Sequence, residues 1–236
     1  MSVPVLELKD VSKDYQGLRP LRISSLSISS GEQVALVGLD QVSAEVFVNL
    51  VTGATLPDRG EIRLFGRATS EIVDSDDWLA SVDKFGIVSR RAVLLDALTV
   101  VQNLAMPFTL EVEPPSAEMR ARAIALAREV GLPESSFDRP VSGLDSLGVF
   151  RVRLARAIAL DPSILVFEHP TADVAPSDVA ELASRCRDVA AGRNIATVVL
   201  TADRDFAAAS SSRALVHDPA SGRLTAGGWL SRFLRA

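Results

Sequence analysis

The sequence predicts an α/β fold, and three observations carry the prediction. Gln33-Val34-Ala35-Leu36-Val37 is a short apolar run that reads as a buried strand. Phe47, Leu50 and Val51 follow at helical spacing and Gly53 is a natural stop, so strand, turn and helix come in that order. Ile195 to Leu200 is a second apolar strand late in the chain, while the stretches 5–11 and 21–28 alternate as antiparallel strands do.

Length and composition bound the answer. The chain has 236 residues, enough for one good-sized domain with subdomains. Its net charge is −5 and its arginines are interspersed with Asp and Glu, which argues against a nucleic-acid partner. One cysteine, Cys186, cannot form an internal disulfide and suits a reducing compartment. No apolar run reaches the length of a membrane span and no signal pattern opens the chain, so a soluble protein is expected, with any membrane role supplied by a partner.

In chain order, the first two strands are joined by a turn at Gln16-Gly17, and residues 60–65 read as a third strand closing this β layer. Asp74 to Leu79 reads as a short helix with an acidic N-terminus. After the breaker Glu113-Pro114-Pro115, a helix is expected from Ser116 to about Val130. A hairpin of 213–217 and 222–226, then a short amphipathic helix from Trp229 to Leu234, end the chain.

The stretch Gly38 to Gly53, GLDQVSAEVFVNLVTG, follows its strand as a phosphate-binding loop would. Such a loop reads G-x-x-x-x-G-K-[ST]: glycines let backbone N–H groups close on the phosphates, Lys reaches the β/γ-phosphates, and Ser/Thr holds Mg²⁺. Counting from Gly38, Ser43 takes the second glycine position, Ala44 the lysine and Glu45 the metal hydroxyl, with Val46 next and Gln41 inside the loop. A carboxylate a few Å from a polyphosphate is repulsive by roughly 1 kcal/mol or more. No ATP or Mg²⁺ is expected to be held here in the usual way, beyond weak binding.

The framework resembles the nucleotide-binding subunit of ABC transporters from end to end. Leu6-Glu7-Leu8-Lys9-Asp10-Val11-Ser12-Lys13-Asp14-Tyr15 looks like that family's first strand and adenine-stacking tyrosine, although Tyr15 equally suits plain packing. Gly31 to Gly38 is similar to the lead-in to the phosphate loop, and Pro57-Asp58-Arg59-Gly60-Glu61-Ile62-Arg63-Leu64-Phe65-Gly66 to the segment after it. Ser163 to Ala172 resembles the Walker B strand and its exit. The resemblance implies a RecA-like P-loop core with an antiparallel β subdomain (1–88 and 160–236) and an α-helical subdomain (about 89–159).

At the matching positions the chemistry is replaced. The family's metal-organising aspartate is Glu168 and its general base is His169, which is itself capable of base chemistry. The Q-loop glutamine is Arg90, which cannot ligate a metal. The switch histidine is Ala202. Two registers remain for the LSGGQ signature that clamps a γ-phosphate on the opposite subunit. One runs from Leu144 to Gly148 and puts Asp145 and Ser146 at the Ser-Gly positions; the other, Val141 to Asp145, keeps a Ser-Gly pair but needs an insertion.

A non-catalytic subunit is therefore expected. It would bind a membrane permease, and an intact ATPase partner where one exists, through Arg90, Leu94, Leu95, Leu98 and Met106. The resemblance implies a homo- or heterodimer, cytoplasmic and peripheral to the inner membrane face through that permease. Segments 53–66 and 94–107 look most like the lipoprotein-releasing and macrolide-exporting group. Two alternatives stay open: a weakly ATP-binding or slowly hydrolysing subunit with His169 as base, and a soluble dimeric scaffold.

Overall fold

A computed structural model describes residues 3–227. In chain order its elements are β1 (Leu6–Lys13), β2 (Leu21–Ile28), β3 (Gln33–Val37), α1 (Gln41–Val51), β4 (Arg59–Leu64) and β5 (Arg67–Ala68). Next come α2 (Ser75–Val82), β6 (Phe85–Val88), α3 (Val100–Ala105), α4 (Ala117–Glu129) and α5 (Ser146–Ile158). The chain then runs through β7 (Ile164–Glu168), α6 (Val179–Gly192), β8 (Ala196–Thr201), α7 (Arg204–Ser210), β9 (Arg213–His217) and β10 (Leu224–Ala226). The expected helix from Trp229 to Leu234 lies outside the described residues.

The strands form two sheets. β2-β1-β4-β5 is antiparallel, with Leu8 opposite Leu26 on one side and Ile62 on the other. The larger sheet runs β10-β9-β3-β8-β7-β6 and is parallel except for the β9–β10 hairpin. β3, β7 and β8 are buried along their whole length, as unbroken apolar strands covered on both faces are.

Two apolar clusters explain the layering. On one face of the large sheet, α1 and the antiparallel sheet enclose Leu8, Ile28, Leu36, Phe47, Leu50 and Val166. On the other face, α3, α4, α5 and α6 enclose Leu104, Phe150, Leu154, Phe167 and Leu182. Phe47 is fully buried between the sheets, and truncating such an aromatic to Ala typically costs about 3–5 kcal/mol. α5 lies directly against β6 because Gly86 has no Cβ there; one would collide with the carbonyl of Ala157.

The parallel strands β3, β6, β7 and β8 all end on one edge of the sheet. Crevices outside that edge are where open α/β sheets place their ligands. The segments that leave β3, β6, β7 and β8 at this edge lead into α1, α3, α6 and α7.

Candidate functional site

A cleft of about 510 Å³ opens at that edge. Each strand contributes to its wall: Gln41 and Glu45 after β3, Ser89, Arg90 and Arg91 after β6, Glu168 and His169 at β7, and Thr201, Ala202 and Asp203 at β8. Of the positions counted from the resemblance, Gln41, Glu45, Arg90, Glu168, His169 and Ala202 line this cleft.

The loop after β3 is short. Gly38 has φ +106° and its missing Cβ would lie 3.2 Å from the carbonyl oxygen of His217, so the chain needs glycine to turn here. Only Leu39 and Asp40 separate it from α1. Asp40 is the N-cap: its Oδ1 accepts from the Ser43 amide at 2.8 Å and from Ser43 Oγ at 2.5 Å. These bonds, with the nearby His169 a smaller cause, hold the Asp40 carboxyl below the ordinary carboxylate range. A phosphate-binding loop leaves the residues between its two glycines as open backbone. In this chain Gln41 to Ser43 are already helical, and an internal carboxylate sits where a phosphate would accept from the helix N-terminus.

Ala44, at the lysine position, is fully buried in the β-side cluster, and Val46 packs against the same cluster. Glu45 points along the cleft and pairs with Arg91, Nη1 to Oε1 at 2.9 Å. The same guanidinium grips Glu168, with Nη2 to Oε1 at 2.8 Å and Nε to Oε2 at 3.3 Å. One arginine thus joins the residues at the metal-hydroxyl and metal-organising positions. Glu168 is only 8% exposed, and a carboxylate that buried requires such a partner.

Arg90, at the glutamine position, also lines the cleft, but its guanidinium goes to Asp173, Nε to Oδ2 at 2.9 Å. Arg90 takes the glutamine position as counted, but it is its neighbour Arg91 that pairs with Glu45 and Glu168. The signal was present, since two consecutive arginines follow the strand, but which of them turns inward is fixed only by the backbone after Val88.

His169 has a left-handed backbone (φ 44°), its ring is half-buried and its Nε2 is buried without a hydrogen-bond partner. Ala202 is exposed at the end of β8, and Asp203 beside it caps α7 through the Phe206 amide at 2.9 Å. Tyr15 is half-buried against the β-side cluster and folds over Gly17. Burial, then the charge of Asp40, pushes its phenol pKa up. Asp145 caps α5 through the Gly148 amide at 2.7 Å. Ser146 opens that helix, whereas Ser142 and Gly143 belong to a separate turn before it.

The residues present do not fit MgATP. The loop offers the phosphates a carboxylate cap in place of free amides, no lysine, and no hydroxyl for the metal. The two carboxylates nearest the family's metal position, Glu45 and Glu168, are already bridged by the single positive charge of Arg91.

A second groove, of about 400 Å³, lies between the sheet and the helices and is lined by Ile87, Leu94, Met106, Arg153, Arg156 and Leu160 among others. Leu94 and Met106 belong to this wall; Leu95 is exposed beside it and Leu98 is half-buried. Asn103, fully buried, shapes this segment. Its Oδ1 accepts from the Leu95 amide at 2.9 Å, and its Nδ2 donates to the carbonyls of Leu95, Leu98 and Thr99 at 3.0, 3.3 and 3.1 Å.

A parallel sheet with a strand–loop–helix at its edge, an antiparallel sheet on one face and helices on the other define a cassette-type α/β fold class. Residues 21–172 match the family model described as ABC transporter, and the chain belongs to that family. It is 27% identical to the methionine import ATP-binding protein MetN of Brucella abortus, over 92% of this chain and 58% of the relative. It is 26% identical to the lipoprotein-releasing system ATP-binding protein LolD of Alcanivorax borkumensis, over 92% and 96%. It is 33% identical to the pyoverdine export ATP-binding/permease protein PvdT of Pseudomonas entomophila, over 88% and 32%. The chain thus spans about half or less of several curated relatives and nearly all of LolD. Among solved structures, cbiO1 of Clostridium perfringens, described as part of the ABC transporter complex cbiONQ, superposes with a TM-score of 0.81 at 22% identity, covering 98% of this chain and 91% of that one. The ABC transporter cassette MJ0796 superposes with a TM-score of 0.73 at 22% identity, covering 93% and 96%. Among the described residues no helix is long and apolar enough to cross a membrane.

Proposed function

We propose that this chain is a non-catalytic, ATPase-like subunit of an ABC transporter. It docks a membrane permease and, where one exists, an intact ATPase partner, in a structural or regulatory role. The observation that carries the reading is the Asp40 cap: the first turn of α1 is wound where phosphates should bind and closed by the chain's own carboxylate. The groove with Leu94 and Met106 is the surface proposed for the permease. The near full-length match to LolD, an ATP-binding protein named for a lipoprotein-releasing system, supports a transporter context. A cytoplasmic position against the inner membrane face follows from such a partner.

The second reading, slow hydrolysis in a heteromeric transporter, rests on His169, whose Nε2 is buried and unpartnered beside the cleft. Titration of the full chain with MgATP separates the two. The non-catalytic reading expects no saturable binding up to about 1 mM, the upper end of ordinary substrate constants. Tighter binding overturns it. Recovery of the tagged chain from its native host in gentle detergent tests the partner: a permease supports the reading, and recovery of the chain alone removes it.

A further inference from the structure

We infer that Arg91 is a tethered replacement for a divalent cation, holding Glu45 on α1 and Glu168 at the end of β7 together as a metal would between the same two carboxylates. The inference rests on the non-catalytic reading, in which no MgATP displaces the side chain. Three observations support it. Arg91 makes contacts of 2.8 to 3.3 Å to both carboxylates, and to Glu168 it presents the two-nitrogen fork that matches a carboxylate. Glu168 is buried and has no other ion-pair partner among the described residues. The backbone of Arg91 is itself fixed, its amide donating to Ser89 Oγ at 3.1 Å.

The chemistry of the pair follows. Two carboxylates facing one space repel unless a proton, a guanidinium or a hard cation lies between them. Mg²⁺ or Mn²⁺ needs only one or two carboxylates, with water completing its shell. A protein that carries its cation on a side chain keeps this edge of the sheet joined whatever the metal or nucleotide concentration. Arg91 also immediately precedes Ala92, which with Leu94 lines the second groove. The tether therefore fixes one rim of the proposed permease dock without any ligand.

The test uses the full chain without nucleotide. Arg91→Ala should melt about 2–4 °C below the wild type, the scale of one lost interaction in a domain of this size. Millimolar Mn²⁺ should restore much of that loss, because a ligand of the native state alone stabilises it. By electron paramagnetic resonance the variant should bind Mn²⁺ at least about tenfold tighter than the wild type, and Arg91→Ala with Glu168→Gln should lose the gain. An unchanged melting temperature, equal Mn²⁺ binding by wild type and variant, or a gain that survives Glu168→Gln each overturns the inference. If Arg91→Ala does not fold, Arg91→Gln carries the same titration during refolding. Failure to refold both with and without Mn²⁺ also overturns it, because a free cation then cannot do the work of the side chain. Binding of MgATP by the wild type removes the non-catalytic reading and is read in a separate titration.

Discussion

Asp40 and Ser43 are joined twice: Oδ1 of the aspartate accepts from both the amide and the hydroxyl of the serine, at 2.8 and 2.5 Å. The pair closes the first turn of α1 as an ordinary capped helix. Removing the cap with Asp40→Ala should lower stability by about 1 kcal/mol, the usual worth of an N-cap. A shift of the urea midpoint with an unchanged slope checks it.

The same pair sets a pH dependence. The hydrogen bonds from Ser43 lower the folded pKa of Asp40, so the folded state binds the proton less readily than the unfolded chain. Its contribution is fully present above the unfolded carboxyl value, about 4. It is lost as pH falls from there through the lower folded value. The acid limb of the stability curve should flatten in Asp40→Asn relative to wild type. Parallel acid limbs would show that Asp40 titrates alike in both states.

Asn103 should matter more than its apolar setting suggests. Its side chain is the partner of one amide and three carbonyls around Leu95 to Thr99. Asn103→Ala takes the acceptor from the Leu95 amide, at about 1–3 kcal/mol if water cannot reach it, while the three carbonyls keep the backbone amides of Leu98, Val141 and Asn103 as donors. Asn103→Asp should fail as well, because a carboxylate cannot donate to the three carbonyls. Denaturant midpoints read both variants, and equal stability of Asn103→Asp and wild type would sink the donor argument.

The fold was legible because its strands are apolar runs with glycines at their ends, signals that do not depend on which residues stand at the family's catalytic positions. Counting along the resemblance brought Glu45, Glu168, His169 and Ala202 to one cleft: Glu168 ends β7, His169 and Ala202 directly follow β7 and β8, and Glu45 lies in the first half of α1 after β3. Arg91 was not legible: adjacent arginines differ only in the direction the backbone gives them after Val88. Nor is the Asp40 cap legible from the phosphate-loop pattern, which bears on residues 43–46, whereas the cap depends on where α1 begins. Asn103 reads as a helix residue until its buried carbonyl partners, four to eight residues upstream, are known.

Cys186 is buried on α6, and burial pushes its thiol pKa far up. It should stay unmodified by a thiol reagent in the native chain at pH 8 and react fully in guanidinium chloride. Rapid native labelling would mean that α6 opens locally far below the global unfolding free energy.

On the non-catalytic reading proposed above, ATP binding should take more than a lysine at position 44 and a hydroxyl at position 45. Ala44 is fully packed in the β-side cluster, so Ala44→Lys drives an ammonium into apolar surroundings while the α1 cap holds that turn in place. Glu45→Ser removes one partner of Arg91 but leaves its grip on Glu168. The double variant is therefore expected to bind a fluorescent ATP analogue no better than wild type. Adding Asp40→Gly and Ser43→Gly frees the first-turn amides and supplies the second glycine, and adding Arg91→Gln reopens the space between Glu168 and position 45. Measurable affinity should emerge only when these changes are combined. If the double variant alone binds tighter than about 1 mM, the winding of α1 is no barrier, and the missing lysine and hydroxyl account for the lost chemistry.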